Sequence, residues 1–151
     1  MTVDHFCIRT VDTARADESA WTVAERMHQR SVGALVVVND SNEPIGIITD
    51  RDLVERVMVK RLDADDTPVD KIMTQKPRLI FEGSSIEFAL TAMRDGSFRR
   101  LPLVDHEGKL TGLVCLDDLL MKSTRELALI GQIVKSETPC SIAEEVLVDA
   151  D

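Results

Sequence analysis

Gly46-Ile47-Ile48-Thr49-Asp50-Arg51-Asp52 is the stretch that decides how this chain folds. An apolar run from Ile45 to Ile48 meets a hydroxyl, two carboxylates and a cation within four residues, and Leu53, Val54, Val57 and Met58 follow at helical spacing. That order predicts a strand running directly into a helix N-terminus. Such a junction has two uses. In one, Thr49 caps the helix and Asp52, three residues on, satisfies backbone donors of the first turn. In the other, the open N–H groups and the positive dipole end receive a phosphate, helped by the Thr49 hydroxyl and Arg51. Asp52 then faces ribose hydroxyls, because it would repel the phosphate.

The stretch occurs twice. Gly112 follows Gly46 by 66 residues, and the same offset superposes far more than the glycines. Val3-Asp4-His5-Phe6-Cys7 falls on Val69-Asp70-Lys71-Ile72-Met73, and Leu35–Val38 falls on Leu101–Val104. Ala20, Val23, Ala24 and Met27 fall on Ile86, Ala89, Leu90 and Met93, both sets at the i, i+3, i+4, i+7 spacing of one helix face. One supersecondary unit is therefore repeated without insertion.

Each unit reads as a lead-in strand (3–11 and 69–77), a helix (about 19–30 and 85–95), two short strands (34–38 then 45–49, and 101–104 then 110–115), and a closing helix. Ser19 is the expected cap of the first helix, and Ser84-x-x-Glu87 reads as a capping box for the second. Asn39-Asp40-Ser41-Asn42 and Asp105-His106-Glu107-Gly108 supply turn chemistry between the strands. The expected organisation is a first unit over 1–62, an acidic linker over 63–68, a second unit over 69–125, and a helix with an acidic tail over 126–151. Neither unit is large enough to bury its helices and both sheet faces alone, so the two are expected to pack with pseudo-twofold symmetry in an α/β (α+β) fold. A helix to about Val134 and a further turn at Ser141-x-x-Glu144 are expected outside the repeat.

Composition narrows the function. A net charge of −9 and 3% aromatic residues leave little to neutralise or stack a nucleic acid. Arg94, Arg99 and Arg100 form one small basic cluster suited to a small anion. Three scattered cysteines indicate neither a disulfide framework nor a Cys-x-x-Cys metal site, and no apolar run approaches a membrane span, so a cytoplasmic setting is expected. Neither a Gly-x-x-x-x-Gly-Lys loop nor a His/Cys metal set is present, and Cys115 reads as a packing residue rather than a nucleophile.

A tandem that twice ends in Gly-apolar-apolar-x-x-x-Asp resembles the cystathionine β-synthase (CBS) domain pair, or Bateman module, over residues 3 to about 125. Arg99-Arg100-Leu101-Pro102-Leu103-Val104-Asp105 looks like that family's second-strand signature, and Ser31-Val32-Gly33-Ala34-Leu35-Val36-Val37-Val38 is its counterpart. The resemblance implies a regulatory module with one cleft per copy for an adenosine derivative: AMP, ADP or ATP, with S-adenosylmethionine or NAD as further candidates, and no required cofactor. It implies a phosphate role for Thr49 and a ribose role for Asp52. In the second copy Asp118 matches the ribose position, but Cys115 replaces the hydroxyl, and a thiol is a weak donor. Arg99 and Arg100 are candidate phosphate contacts, whereas Gly33 and Ala34, at the matching place in the first copy, let an adenine approach the backbone. Unequal sites are therefore expected. A non-catalytic nucleotide sensor follows, with a homodimer and an effector protein reached through the C-terminal segment as its partners; a structural dimerisation module without ligand is the alternative.

Overall fold

The computed structural model describes residues 1–96 and 98–137, in two compact units that divide between Leu116 and Asp117. The turn expected at Ser141 and the acidic tail lie outside the described residues. In the first unit, β1 (Thr13–Ala14), α1 (Ala20–Arg30), β2 (Ala34–Val38), β3 (Pro44–Thr49) and α2 (Asp50–Leu53) form the first copy. A wider π turn, Val54–Met58, prolongs α2. The second copy supplies β4 (Thr74–Gln75), β5 (Ile80–Phe81), α3 (Ile86–Gly96), β6 (Arg100–Val104) and β7 (Leu110–Cys115), and α4 (Leu116–Glu137) follows.

Local chemistry accounts for the boundaries. The Ser19 side chain accepts from Thr22 N–H and caps α1 as expected. At α3 the cap differs from the expected box: the Ser85 hydroxyl accepts from Phe88 N–H at 3.1 Å, while the Ser84 carbonyl accepts from Val3 N–H at 2.9 Å. Ser84 is thus spent on the N-terminal segment. In both hairpins one side-chain oxygen closes the turn: Asn39 Oδ1 accepts from the N–H groups of Ser41 and Glu43, and Asp105 Oδ1 from those of Glu107 and Lys109, all at 2.9 Å. Asn42 and Gly108, one offset apart, both take positive φ (61° and 81°).

Hydrogen bonding places the strands in two sheets of order β1-β2-β3-β4 and β5-β6-β7. β1 and β5 pair in parallel with β2 and β6, and the hairpins β2-β3 and β6-β7 are antiparallel in matching register, Ala34 opposite Thr49 and Arg100 opposite Cys115. The lead-ins depart from the expected strands. Each opens with a 3₁₀ turn, Val3–His5 or Val69–Lys71, and then crosses to the other copy. β4 pairs with β3 (Ile47 opposite Thr74), and Ile8 exchanges two 2.9 Å hydrogen bonds with Leu113 of β7. Arg9 fastens the first crossing, donating to Glu82 at 2.6 Å and to the Thr111 carbonyl at 3.3 Å. Arg56 fastens the second, donating to the Ile72 carbonyl at 2.7 Å.

The crossing explains the repeated glycine. A methyl group at Gly46 would meet the Met73 side chain and lie 3.1 Å from the Thr74 carbonyl. At Gly112 it would lie 3.1 Å from the Ile8 carbonyl and 3.3 Å from Cys7 Sγ. Both glycines clear the path of the opposite lead-in. One aliphatic core lies under α1, built from Val23, Met27, Leu35, Val37, Ile48, Val57 and Ile72. Val36 and Val38 on the other face of β2 pack with Leu113 and Cys115 of β7, joining the sheets. The three aspartates at 63, 65 and 66 are exposed, while the backbone of that segment is used: the Thr67 and Ala64 carbonyls accept from Ala20 and Trp21 N–H at the start of α1.

The second unit is described through α4. The Ser123 and Thr124 hydroxyls donate back to the Leu119 and Leu120 carbonyls at 2.9 and 2.8 Å, and Leu120, Met121, Leu127, Leu129, Ile130 and Ile133 are exposed. Among the described residues no helix is long and apolar enough to cross a membrane.

Candidate ligand site

The capping use of the Thr49 junction is realised. The Thr49 hydroxyl accepts from Asp52 N–H at 3.2 Å, and Asp52 Oδ2 accepts from both the Thr49 N–H and the Thr49 hydroxyl at 2.9 Å. Asp52 is buried, 8% exposed, and its other oxygen pairs with Arg56 at 3.3 Å. Both carboxylate oxygens are thus engaged within the protein. Arg51 points elsewhere: it is exposed and bonded at 2.6 Å to Glu55, one turn on, and that hydrogen bond raises its pKa.

Two cavities flank the ends of the hairpins, and the 66-residue offset maps one onto the other. The first, about 150 Å³, is lined by Ile47 and Thr49 from β3, Thr74, Pro77 and Arg78 from the second lead-in, and Phe98, Arg99 and Arg100 at the start of β6. The second, about 180 Å³, is lined at the matching positions by Leu113, Cys115, Ile8, Val11, Asp12, Val32, Gly33 and Ala34, with Thr10 and Arg100 added. The crossed lead-ins therefore build both cavities, each from strand ends of both copies.

The structure groups the candidate residues across the copies. Thr49, Arg99 and Arg100 share one cavity; Gly33, Ala34, Cys115 and again Arg100 share the other. Neither lining includes Arg51 or Asp52. Asp118 lies in the first turn of α4, half-buried, in the second unit.

The cavities differ in electrostatics. Three arginines and two threonines, Thr49 and Thr74, line the Thr49 cavity beside an apolar wall of Ile47, Pro77 and Phe98. Among the described residues Arg78 and Arg100 form no ion pair. In the Cys115 cavity the acid at the Arg78 position, Asp12, is held by Arg30 at 2.8 Å, and the remaining wall is mostly apolar. The first cavity offers charge-assisted donors for an oxyanion beside a face for a flat apolar group. Arg78 and Phe98 went unread in the sequence. The offset would have exposed both, since Arg78 occupies the place of Asp12 and Phe98 that of Val32.

This architecture, one supersecondary unit present twice with crossed lead-ins and a cavity at each hairpin end, defines a tandem domain pair. The CBS domain profile matches the chain twice, at residues 3–59 and 69–124, and the chain belongs to the CBS-domain family. It is 37% identical over 127 residues to an uncharacterised protein of Methanopyrus kandleri, covering 84% of this chain and 65% of that protein. The chain thus spans less than two thirds of that relative's length. A protein with CBS domains from Burkholderia ambifaria has the same fold, with a TM-score of 0.69 and 31% identity over 76% of this chain and 83% of that one. The CBS-pair protein CBSX2 of Arabidopsis thaliana, solved in complex with AMP, superposes with a TM-score of 0.69 at 23% identity, over 82% of this chain and 96% of that one. A CBS domain pair solved with 5′-methylthioadenosine and S-adenosyl-L-methionine superposes with a TM-score of 0.75 at 18% identity, over 83% and 98%.

Proposed function

We propose that this chain is a regulatory module that binds an adenine nucleotide in the Thr49 cavity and signals by a change in conformation or in dimer geometry. The observation that carries the reading is the convergence of Arg78, Arg99, Arg100 and Thr49 on one cavity of a chain whose net charge is −9. Small anions are held by such clusters through short charge-assisted hydrogen bonds. The base would lie against Phe98, whose ring is partly exposed at the rim. The adenosine ligands of the two CBS pairs described above support the choice of base. AMP, ADP and ATP fit the charge of the site; S-adenosylmethionine fits the less basic Cys115 cavity better.

The exposed apolar side chains Val54, Met58 and Val59 after α2 supply one face for a homodimer, and Leu127, Ile130 and Ile133 on α4 supply a second face for a copy or an effector. Among the described residues Cys7 and Cys115 carry no disulfide, which suits a reducing cytoplasm. The closed Thr49–Asp52 capping box favours one other reading, a dimerisation module without ligand.

The test is calorimetric titration with AMP, ADP, ATP, NAD and S-adenosylmethionine, alongside Arg78→Ala. Micromolar heat with one adenine ligand, weakened about tenfold in the variant, supports the sensor. Silence across the panel from a folded dimer supports the structural module instead.

A further inference from the structure

One guanidinium serves both cavities. Arg100 lines the Thr49 cavity and the Cys115 cavity, whereas its counterpart by offset, Ala34, lines only the second. The Arg100 side chain reaches Gly33: a methyl group there would sit 3.8 Å from Arg100 Nη2, an ordinary contact, and 3.2 Å from Asp50 Oδ2. The guanidinium therefore ends beside the start of β2, on the first copy's side. Among the described residues no carboxylate lies within ion-pair distance to fix it there.

We infer that Arg100 couples the two cavities, so that a phosphorylated ligand in the Thr49 cavity draws the guanidinium to itself and leaves the Cys115 cavity without a cation. The inference rests on the nucleotide-binding reading above and deepens it. In the Thr49 cavity a phosphate has Arg78, Arg99 and the Thr49 hydroxyl around it, and Arg100 completes the set. The Cys115 cavity then keeps one charged lining group, the Asp12 carboxylate already held by Arg30, among a thiol, a hydroxyl and apolar side chains. Such a lining accepts an uncharged nucleoside and disfavours a second phosphate. Two nucleotides consequently bind with negative coupling, and by linkage each weakens the other by the same factor.

Calorimetric titration of AMP into the full chain and two variants tests this. The full chain is expected to bind one AMP tightly and a second about tenfold more weakly. Arg100→Ala weakens the first step about tenfold and leaves the second unchanged, because Arg100 has already left when the second ligand arrives. Ala34→Arg supplies a separate cation at the matching position and brings the second step within about threefold of the first. If Arg100→Ala weakens both steps equally, or Ala34→Arg leaves the second step where it was, the coupling is overturned while nucleotide binding stands. If the full chain binds no AMP, the coupling and the nucleotide reading fall together.

Discussion

The Thr49 cavity and the Cys115 cavity occupy equivalent places in two copies of one fold, yet their linings share little chemistry. Backbone, register and crossing lead-ins repeat at 66 residues, while Arg78, Phe98 and Arg99 face Asp12, Val32 and Gly33 at the matching positions. The comparison teaches that the repeat fixes where a cavity forms and that a few side chains at the strand ends fix the charge of its lining. Symmetry of the chain and asymmetry of its sites are compatible because the residues that set the charge of the linings, Arg78, Arg99 and Arg100 against Asp12, lie outside the buried apolar core.

The largest expected effect comes from erasing that difference. Arg78→Asp, which copies the Asp12 position, replaces an attractive charge by a repulsive one and should weaken AMP about a hundredfold in a calorimetric titration. A feature common to both halves tests the frame itself. Gly46→Ala or Gly112→Ala drives a methyl group into the crossing lead-in and should destabilise the fold by about 2 kcal/mol in urea unfolding, as overpacking does. Asp52→Ala removes the capping box and leaves Arg56 without its carboxylate, with an expected loss of about 1 kcal/mol in the same measurement.

The smallest effect separates the copies by pH. Glu18 and Arg26 pair in the first copy, where the second has Ser84 and Ala92. The hydrogen bond from Arg26 holds the Glu18 carboxyl below its ordinary value of 4.5. A depressed folded value means stability that is present above the unfolded value and lost as pH falls through the folded one. Acidification from about pH 5 to about pH 3 should therefore cost the parent chain slightly more stability than Glu18→Gln, by less than about 1 kcal/mol. Equal losses in the two proteins would remove the pair from the account.

Much of this was legible in the sequence. The helix face at Ala20, Val23 and Met27, the Ser19 cap and the strands before Thr49 and Cys115 follow from periodicity and capping chemistry, and the structure has them within one residue. The crossings were not legible. Ile8 and Thr74 pair over one or two residues with strands of the other copy, too briefly to leave a period in the sequence. That omission hid Arg78, which reaches the Thr49 cavity only because its lead-in crosses. The Ser84 capping box failed for a related reason: the Ser84 carbonyl is engaged by Val3 of the opposite lead-in, and Ser85 takes over the cap.

The exchange of lead-ins also sets an order of events for the growing chain. Val3 and Ile8 of the first lead-in complete their hydrogen bonds only with Ser84 and Leu113, so the first copy cannot finish assembling until the second has emerged from the ribosome. Closing so long a loop late makes folding slow for a chain of this size, and a newly made first half waits with its opening segment unpartnered.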